Sequence, residues 1–293
     1  MVARLLFAGL LALALTVQAA GITVADDRGK AVTLAGPAQR IIALAPSVTE
    51  LVYAAGAGDR LVGVARYSDY PSAAATVAQI GDATRIDFER VLSLKPDLVI
   101  GWESGNHAAD VEQLERFGLP VFMVEPATLG AISRSLRAVG TLAGTAATAQ
   151  SAAEMFERGV AVLRERYGAR ARVRVFYEIW HEPLMTVNGR HMISDVIQLC
   201  GGANVFAALA TLTPVVSLEG VIAAQPEVVL GGSSATTMEE FAAQWRRYGH
   251  FANLQDVRAL YVDPDRIQRQ TPRMLQGAQA VCEHLDRIRS LRK

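Results

Sequence analysis

Residues 88–101, Phe88-Glu89-Arg90-Val91-Leu92-Ser93-Leu94-Lys95-Pro96-Asp97-Leu98-Val99-Ile100-Gly101, return at 218–231 as Leu218-Glu219-Gly220-Val221-Ile222-Ala223-Ala224-Gln225-Pro226-Glu227-Val228-Val229-Leu230-Gly231. The offset is 130 residues throughout, and glutamate, valine, proline, valine and glycine recur in register. Each copy reads as a short helix, a proline stop and a strand apolar on both faces. A duplicated unit of this kind predicts an α/β chain of two similar lobes with mostly parallel sheets. The natural ligand site of such a chain is the cleft between the lobes.

The same alternation extends outward from the first copy. Ile22–Val24 and Val32–Leu34 read as short strands around the turn Asp26-Asp27-Arg28-Gly29. Arg40–Ala45 is a buried strand that Pro46 ends. Ser47-Val48-Thr49-Glu50 has the form of a capping box opening a helix, with Ser47 as N-cap and Glu50 three residues on. Leu61–Ala65 and Val121–Val124 read as strands, and Val111–Phe117 as an amphipathic helix. Strands that alternate with helices imply βαβ units and a parallel sheet.

From Leu129 to Gly168 the pattern is helical for about forty residues, with a break near Gly144-Thr145. The second piece holds no proline and one glycine, Gly159. A helix connecting two lobes is stiffer than a Gly/Ser linker, so the lobes are expected to close only slightly on a ligand. The resulting division is a signal peptide at 1–20, an N-terminal lobe at 21–146, a linker helix at 147–168 and a C-terminal lobe at 169–293.

The signal peptide follows from a three-part pattern. Arg4 precedes a mostly apolar run from Leu5 to Val17, and Gln18-Ala19-Ala20-Gly21 supplies small residues for cleavage. No cysteine follows the run, which argues against a lipid anchor. Past residue 20 there is no apolar stretch long enough to span a membrane. The mature protein is expected to be soluble and periplasmic. In that oxidising compartment an even cysteine count, Cys200 and Cys282, predicts one disulfide; two free buried thiols are the alternative.

Composition agrees with two globular units. The chain has 293 residues, 51% of them hydrophobic, enough for two cores. Lys+Arg and Asp+Glu are both 29, so the net charge is zero, and a nucleic-acid partner, which calls for a basic excess, is not expected. No Walker loop, nucleophile elbow or His-Glu-x-x-His helix occurs. The five histidines, His107, His181, His191, His250 and His284, are scattered. The expectation is a non-enzyme with no catalytic or metal site; an enzyme or metal-site protein is the less favoured alternative. Three polar-aromatic loops follow strands instead: Arg66-Tyr67-Ser68-Asp69-Tyr70-Pro71, Trp102-Glu103-Ser104-Gly105-Asn106 and Trp180-His181-Glu182-Pro183. Ligands of open α/β sheets bind beyond the carboxyl ends of strands, and aromatics there can stack on a flat ligand.

Tyr67-Ser68-Asp69-Tyr70-Pro71, the block Glu89 to Asn106, Cys200-Gly201-Gly202-Ala203-Asn204-Val205-Phe206 and Pro272-Arg273 resemble the substrate-binding proteins of cobalamin and iron-siderophore ABC importers. The resemblance covers about Arg40 to Leu285 and implies two α/β lobes joined by one rigid helix. It implies corrinoid contacts at Tyr67 and Trp102, further ligand contacts at Asp265 and Arg269, and the disulfide Cys200–Cys282. Glu89 and Glu219 match the glutamates, one per lobe, that dock onto an inner-membrane permease. Two tryptophans of a cobalamin-binding member align with Ala83 and Thr213, while Trp180 stands at a small-residue position and can replace the lost stacking area. The implied protein is a monomer that carries cobalamin as transported ligand, with no cofactor of its own. Haem and ferric siderophores are the alternative cargoes, with Tyr67 as a conceivable iron ligand.

Overall fold

The computed structural model describes residues 21–82, 85–232, 237–249 and 258–292. The signal-peptide reading at 1–20 and the alignment position Ala83 lie outside the described residues.

The N-terminal half opens with an antiparallel hairpin, β1 (Ile22–Ala25) and β2 (Ala31–Leu34). It continues through β3 (Ile41–Ala43), α1 (Pro46–Ala54), β4 (Leu61–Val64) and a small hairpin of β5 (Gly81–Asp82) and β6 (Arg85–Ile86). The first repeat copy forms α2 (Phe88–Ser93) and β7 (Leu98–Trp102), followed by α3 (Ala108–Arg116) and β8 (Val121–Val124). Two long helices, α4 (Leu129–Ala143) and α5 (Ala146–Tyr167), lead into the second half. There the order is β9 (Val173–Glu178), α6 (Met192–Leu199), β10 (Gly202–Asn204), α7 (Leu218–Ala224), β11 (Val228–Gly231), α8 (Met238–Arg246), β12 (Arg258–Tyr261), α9 (Pro264–Ile267) and α10 (Met274–Leu291).

The two four-stranded sheets have one topology. Their strand orders are β4-β3-β7-β8 and β10-β9-β11-β12, parallel at every pairing. The two repeat copies therefore supply the same piece of each lobe, the third strand in order and the helix before it. Side chains alternate across the sheets: Leu98 and Ile100 join the core shared with the long helices, and Val99 joins the outer core of its lobe. That shared core is continuous from Ile41 and Leu98 in one lobe through Phe156 and Leu163 of α5 to Val175, Leu230 and Leu285 in the other. Such strands must be apolar on both faces, which is why Leu98-Val99-Ile100 reads as an unbroken apolar run.

At 1.5 Å per residue the 22 residues of α5 span about 33 Å. Gly159 does not loosen this helix. A Cβ there would stand 2.3 Å from Leu275 Cδ2, so the glycine is the seat on which α10 rests. The disulfide Cys200–Cys282 ties the end of α6 to α10 inside that packing, both residues fully buried. It closes a separation of 82 residues, worth about 4.5 kcal/mol in the chain-entropy model.

One sequence expectation is overturned. Ser47 does not cap α1: the N-cap is Ala45, no side chain bonds there, and Pro46 opens the helix. Proline suits that position because the N–H it lacks would have no intrahelical acceptor. Glu50 turns away from the helix start and into the opposite lobe, as described next.

Candidate functional site

A cavity of about 410 Å³ lies between the lobes. Much of its wall comes from strand carboxyl ends or the segments just after them. Pro46 and Ser47 follow β3, Trp102 ends β7 and Ser104 follows it. On the other side, Ile179 follows β9, and Pro264, Asp265, Gln268 and Arg269 follow β12. His191, Leu212 and Thr213 also line it. This is the place where parallel sheets leave strand ends and helix starts facing open space.

Trp102 is the last residue of β7 rather than the first of a loop. Its backbone N–H donates to Asn106 Oδ1 at 2.8 Å, and Asn106 Nδ2 donates to the Leu44 carbonyl at 3.1 Å. The short loop thus folds back beneath the indole. A Cβ on Gly105 would stand 1.9 Å from Trp102 Cε3, so only glycine leaves room for the ring. The indole N–H is buried with no acceptor among the described residues.

Tyr67 and Trp180 are not in the cavity lining; they stand on neighbouring loops with 69% and 51% of their surface exposed. Tyr67 sits at φ 67°, in the left-handed region that costs a bulky side chain energy. The loop is anchored beneath it by Ser68 Oγ and Thr49 Oγ1, 2.9 Å apart and buried. Trp180 donates its indole N–H to the Glu182 carbonyl at 2.9 Å. The next residue, His181, places Nδ1 3.3 Å from Glu178 Oε2, a buried carboxylate that also accepts from Trp245 Nε1 at 2.6 Å. The structure brings Trp102, Asp265, Arg269 and Thr213 into one cavity and leaves Tyr67 and Trp180 exposed on neighbouring loops.

Arg269 is the centre of an ionic cluster that crosses the lobes. Its Nη1 donates to Glu50 Oε1 at 2.9 Å and to Asp69 Oδ1 at 2.7 Å, and its Nη2 meets Asp265 Oδ1 at 2.9 Å. Glu50, on α1 of the N-terminal lobe, also accepts from Arg273 Nη1 at 2.8 Å and from the Thr271 hydroxyl at 2.9 Å. Its side chain is 2% exposed. Arg273 stacks over the Tyr70 ring with Cζ 4.0 Å from the centroid. Burial alone would lower the Arg269 pKa, but its bonds to Asp69 and Glu50 and the charge of Asp265 hold it above the ordinary value. Burial would raise Asp69, and Arg269 more than offsets that, keeping its carboxyl below the usual range. Asp265 and Arg269 are therefore more than a solvated (i, i+4) surface pair.

Two contributors had no functional signal in the sequence. Glu50 matched a local capping pattern, and its partners lie more than 200 residues away. His191 was one of several scattered histidines. It caps α6, with Nδ1 accepting from Ile193 N–H at 3.2 Å. Burial pushes its imidazole down to about 4. With Nδ1 occupied as an acceptor, the ring proton belongs to Nε2, so the group is a neutral donor rather than a metal ligand through that atom.

Glu89 and Glu219 are exposed in the first turns of α2 and α7. The helices are capped alike, by Asp87 accepting from Arg90 N–H and Ser217 accepting from Gly220 N–H. Backbone and Ser217 hydrogen bonds hold the Glu219 carboxyl below its ordinary range.

The chain resembles known proteins over most of its length. It is 36% identical over 256 residues to the vitamin B12-binding protein of Vibrio parahaemolyticus, covering 87% of this chain and 92% of that one. The vitamin B12-binding protein of Yersinia pestis is also 36% identical, over 251 residues, with 86% and 88% covered. The crystal structure of the periplasmic vitamin B12 binding protein BtuF of Vibrio cholerae superposes with a TM-score of 0.80 at 33% identity, covering 86% and 98%. A periplasmic heme-binding protein of Roseiflexus superposes with a TM-score of 0.71 at 25% identity, covering 85% and 99%. The periplasmic binding protein family matches residues 41–262, a span that holds both parallel sheets and most of the cleft between them, and the chain belongs to that family.

Proposed function

We propose that this protein captures a corrinoid, cobalamin in the first instance, in the cleft between its lobes and delivers it to an ABC importer of the inner membrane. The observation that carries this reading is the charge state of the cleft. Arg269 lines it, yet three carboxylates already contact that guanidinium. The nearby imidazole of His191 stays neutral at periplasmic pH. A cleft of this kind suits a neutral macrocycle fringed with amides better than a haem, which presents two propionates. Trp102 in the wall and the exposed rings of Tyr67 and Trp180 supply apolar faces for such a ring system. A cargo larger than the cavity would rise between the lobes and reach those two rim residues.

Under this reading the cargo is a transported ligand and the protein needs no cofactor of its own. The chain would be exported, lose residues 1–20 and work as a monomer. Glu89 and Glu219 would meet one basic patch on each half of a two-fold permease, because the repeat places an exposed carboxylate at the same point of each lobe. Haem is the second reading, favoured by the exposed Tyr67 phenol at the cleft rim. Calorimetry with cyanocobalamin, dicyanocobinamide and haemin separates the two. Binding of cyanocobalamin at one site per chain, with haemin weaker or absent, is the expected result; tight haemin binding with no corrinoid binding would reverse the assignment.

A further inference from the structure

Arg269 has five N–H groups. Nη1 gives both its protons to Glu50 and Asp69, while Nη2 lies 2.9 Å from Asp265 Oδ1 as an ion pair. The N–H groups of Nε and Nη2 remain without a hydrogen-bond acceptor among the described residues, enough to serve a carbonyl but with little uncompensated charge behind them. Across the whole cluster, the three carboxylates of Glu50, Asp69 and Asp265 meet two guanidiniums, those of Arg269 and Arg273. The balance is one negative charge beside the cleft. Glu50 is the member that cannot be replaced by solvent: its side chain is 2% exposed, while that of Asp69 is 62% exposed.

We propose that Glu50 is a positioning residue that sets the ligand charge accepted by the cleft. By occupying Arg269 from the opposite lobe, it turns a potential anion receptor into a donor for neutral acceptors, and the cleft discriminates against macrocycles that carry peripheral carboxylates. Tying the two lobes together and selecting the cargo are then one contact. The inference rests on the corrinoid reading for the identity of the preferred ligand, but not for the discrimination itself. A carboxylate near the cluster meets a net negative charge at partly desolvated range, where Coulomb terms are several-fold stronger than in water.

The test uses full-length mature protein and a matched pair of probes. These are cyanocobalamin and the monocarboxylic acids made by hydrolysing one of its peripheral propionamides. Affinities are measured by calorimetry for wild type, Glu50→Gln and Asp69→Asn, with a thermal melt for each. Gln keeps the shape of Glu50 and its acceptor for the Thr271 hydroxyl. The wild type is expected to bind the neutral parent about tenfold tighter than the acids. That ratio should shrink to near unity in Glu50→Gln and fall several-fold in Asp69→Asn. A purely structural tie would weaken both probes in step and leave the ratio unchanged. The proposal is overturned if the wild type does not discriminate, or if both variants keep the wild-type ratio within twofold. If Glu50→Gln does not fold, the exposed Asp69→Asn site decides alone. If the wild type binds neither corrinoid, the corrinoid reading fails, and haemin against its dimethyl ester measures the same charge discrimination.

Discussion

Replacing Gly105 by Ala adds one methyl group to a place that has no room for it. The new Cβ would stand 1.9 Å from Trp102 Cε3 and 2.4 Å from Cζ3. Carbon atoms in contact sit ~3.5–4.0 Å apart, so ring and loop must separate by roughly 1.5–2 Å. The loop cannot yield freely, because Asn106 fastens it to the Trp102 and Leu44 backbones at 2.8 and 3.1 Å. The indole is the part that moves, and its open side is the cleft. Gly105 is outside the left-handed region, so the clash, not a backbone preference, is the perturbation. Overpacking of this size costs ~1–3 kcal/mol of stability. Losing the ring's contact with a ligand costs a similar ~1–3 kcal/mol, a roughly 5- to 150-fold rise in Kd. Calorimetry with cyanocobalamin and a thermal melt read both. The double variant Gly105→Ala/Trp102→Ala supplies the control: removing the ring relieves the clash, so the melting temperature recovers relative to Gly105→Ala while affinity does not. The reasoning is refuted if Gly105→Ala binds within twofold of wild type, or if removing the indole gives no thermal recovery.

Four further outcomes are expected. Mass spectrometry of unreduced protein should find no alkylatable thiol, and Cys200→Ala/Cys282→Ala should lose about 4.5 kcal/mol of stability. Small-angle scattering with and without cyanocobalamin should show little change in radius of gyration, since α5 runs through a core shared by both lobes; a large contraction would show hinge closure instead. Glu89→Ala with Glu219→Ala should keep ligand binding and melting temperature near wild type while abolishing uptake, as both carboxylates are exposed and contribute little to folding. His191 stays neutral in the folded state down to about 4, whereas the unfolded imidazole protonates near 6.5. The unfolded chain therefore binds more protons between those values, and stability falls as pH drops from about 6.5 to about 4, by up to roughly 3 kcal/mol. His191→Asn, which retains a side-chain acceptor for the α6 start, should flatten that stretch of the stability curve.

What could be read from the sequence was what depends on neighbours in the chain. The repeat at 88–101 and 218–231 is a local pattern of helix, proline and strand, and it landed at equivalent positions in two sheets of equal topology. The break between the long helices also follows from local chemistry, for Gly144 ends α4 at φ 66°. Contacts between lobes were not legible in the same way. Ser47-Val48-Thr49-Glu50 satisfies the capping pattern, but Pro46 already opens the helix, and two arginines from the other lobe outcompete a backbone N–H for a buried carboxylate. Gly159 could be counted but not explained until Leu275 was seen to rest on it. Among the candidate site residues, Trp102, Asp265 and Arg269 share the cavity, because the carboxyl ends of β7 and β12 face one another across it. Tyr67 and Trp180 do not line it, and their loops follow the same strand-end rule without fixing how far each ring reaches.

The duplication explains one last feature, the way each lobe holds the other. In both, the helix after the first strand of the parallel sheet carries a carboxylate that bonds outside its own lobe. Glu50 of α1 reaches the arginines that follow α9. Asp195 of α6, its counterpart in the second lobe, accepts the Leu129 N–H at the start of α4 at 2.9 Å. The two contacts are reciprocal in placement and different in kind. A backbone amide at a helix start is uncharged and favours an anion through the helix dipole, so Asp195 can anchor α4 without a buried cation. Glu50 instead meets two guanidiniums, one of which lines the cleft. Breaking a buried pair of that kind costs ~3–5 kcal/mol because it strands a charge, whereas loss of a capping carboxylate costs ~0.5–2 kcal/mol. The symmetric scaffold thus has an asymmetric pair of ties, and the stronger one lies where ligand selection takes place. Substituting Asp195 should therefore lower stability modestly and leave the neutral-to-acid ligand ratio untouched, while substituting Glu50 should move both.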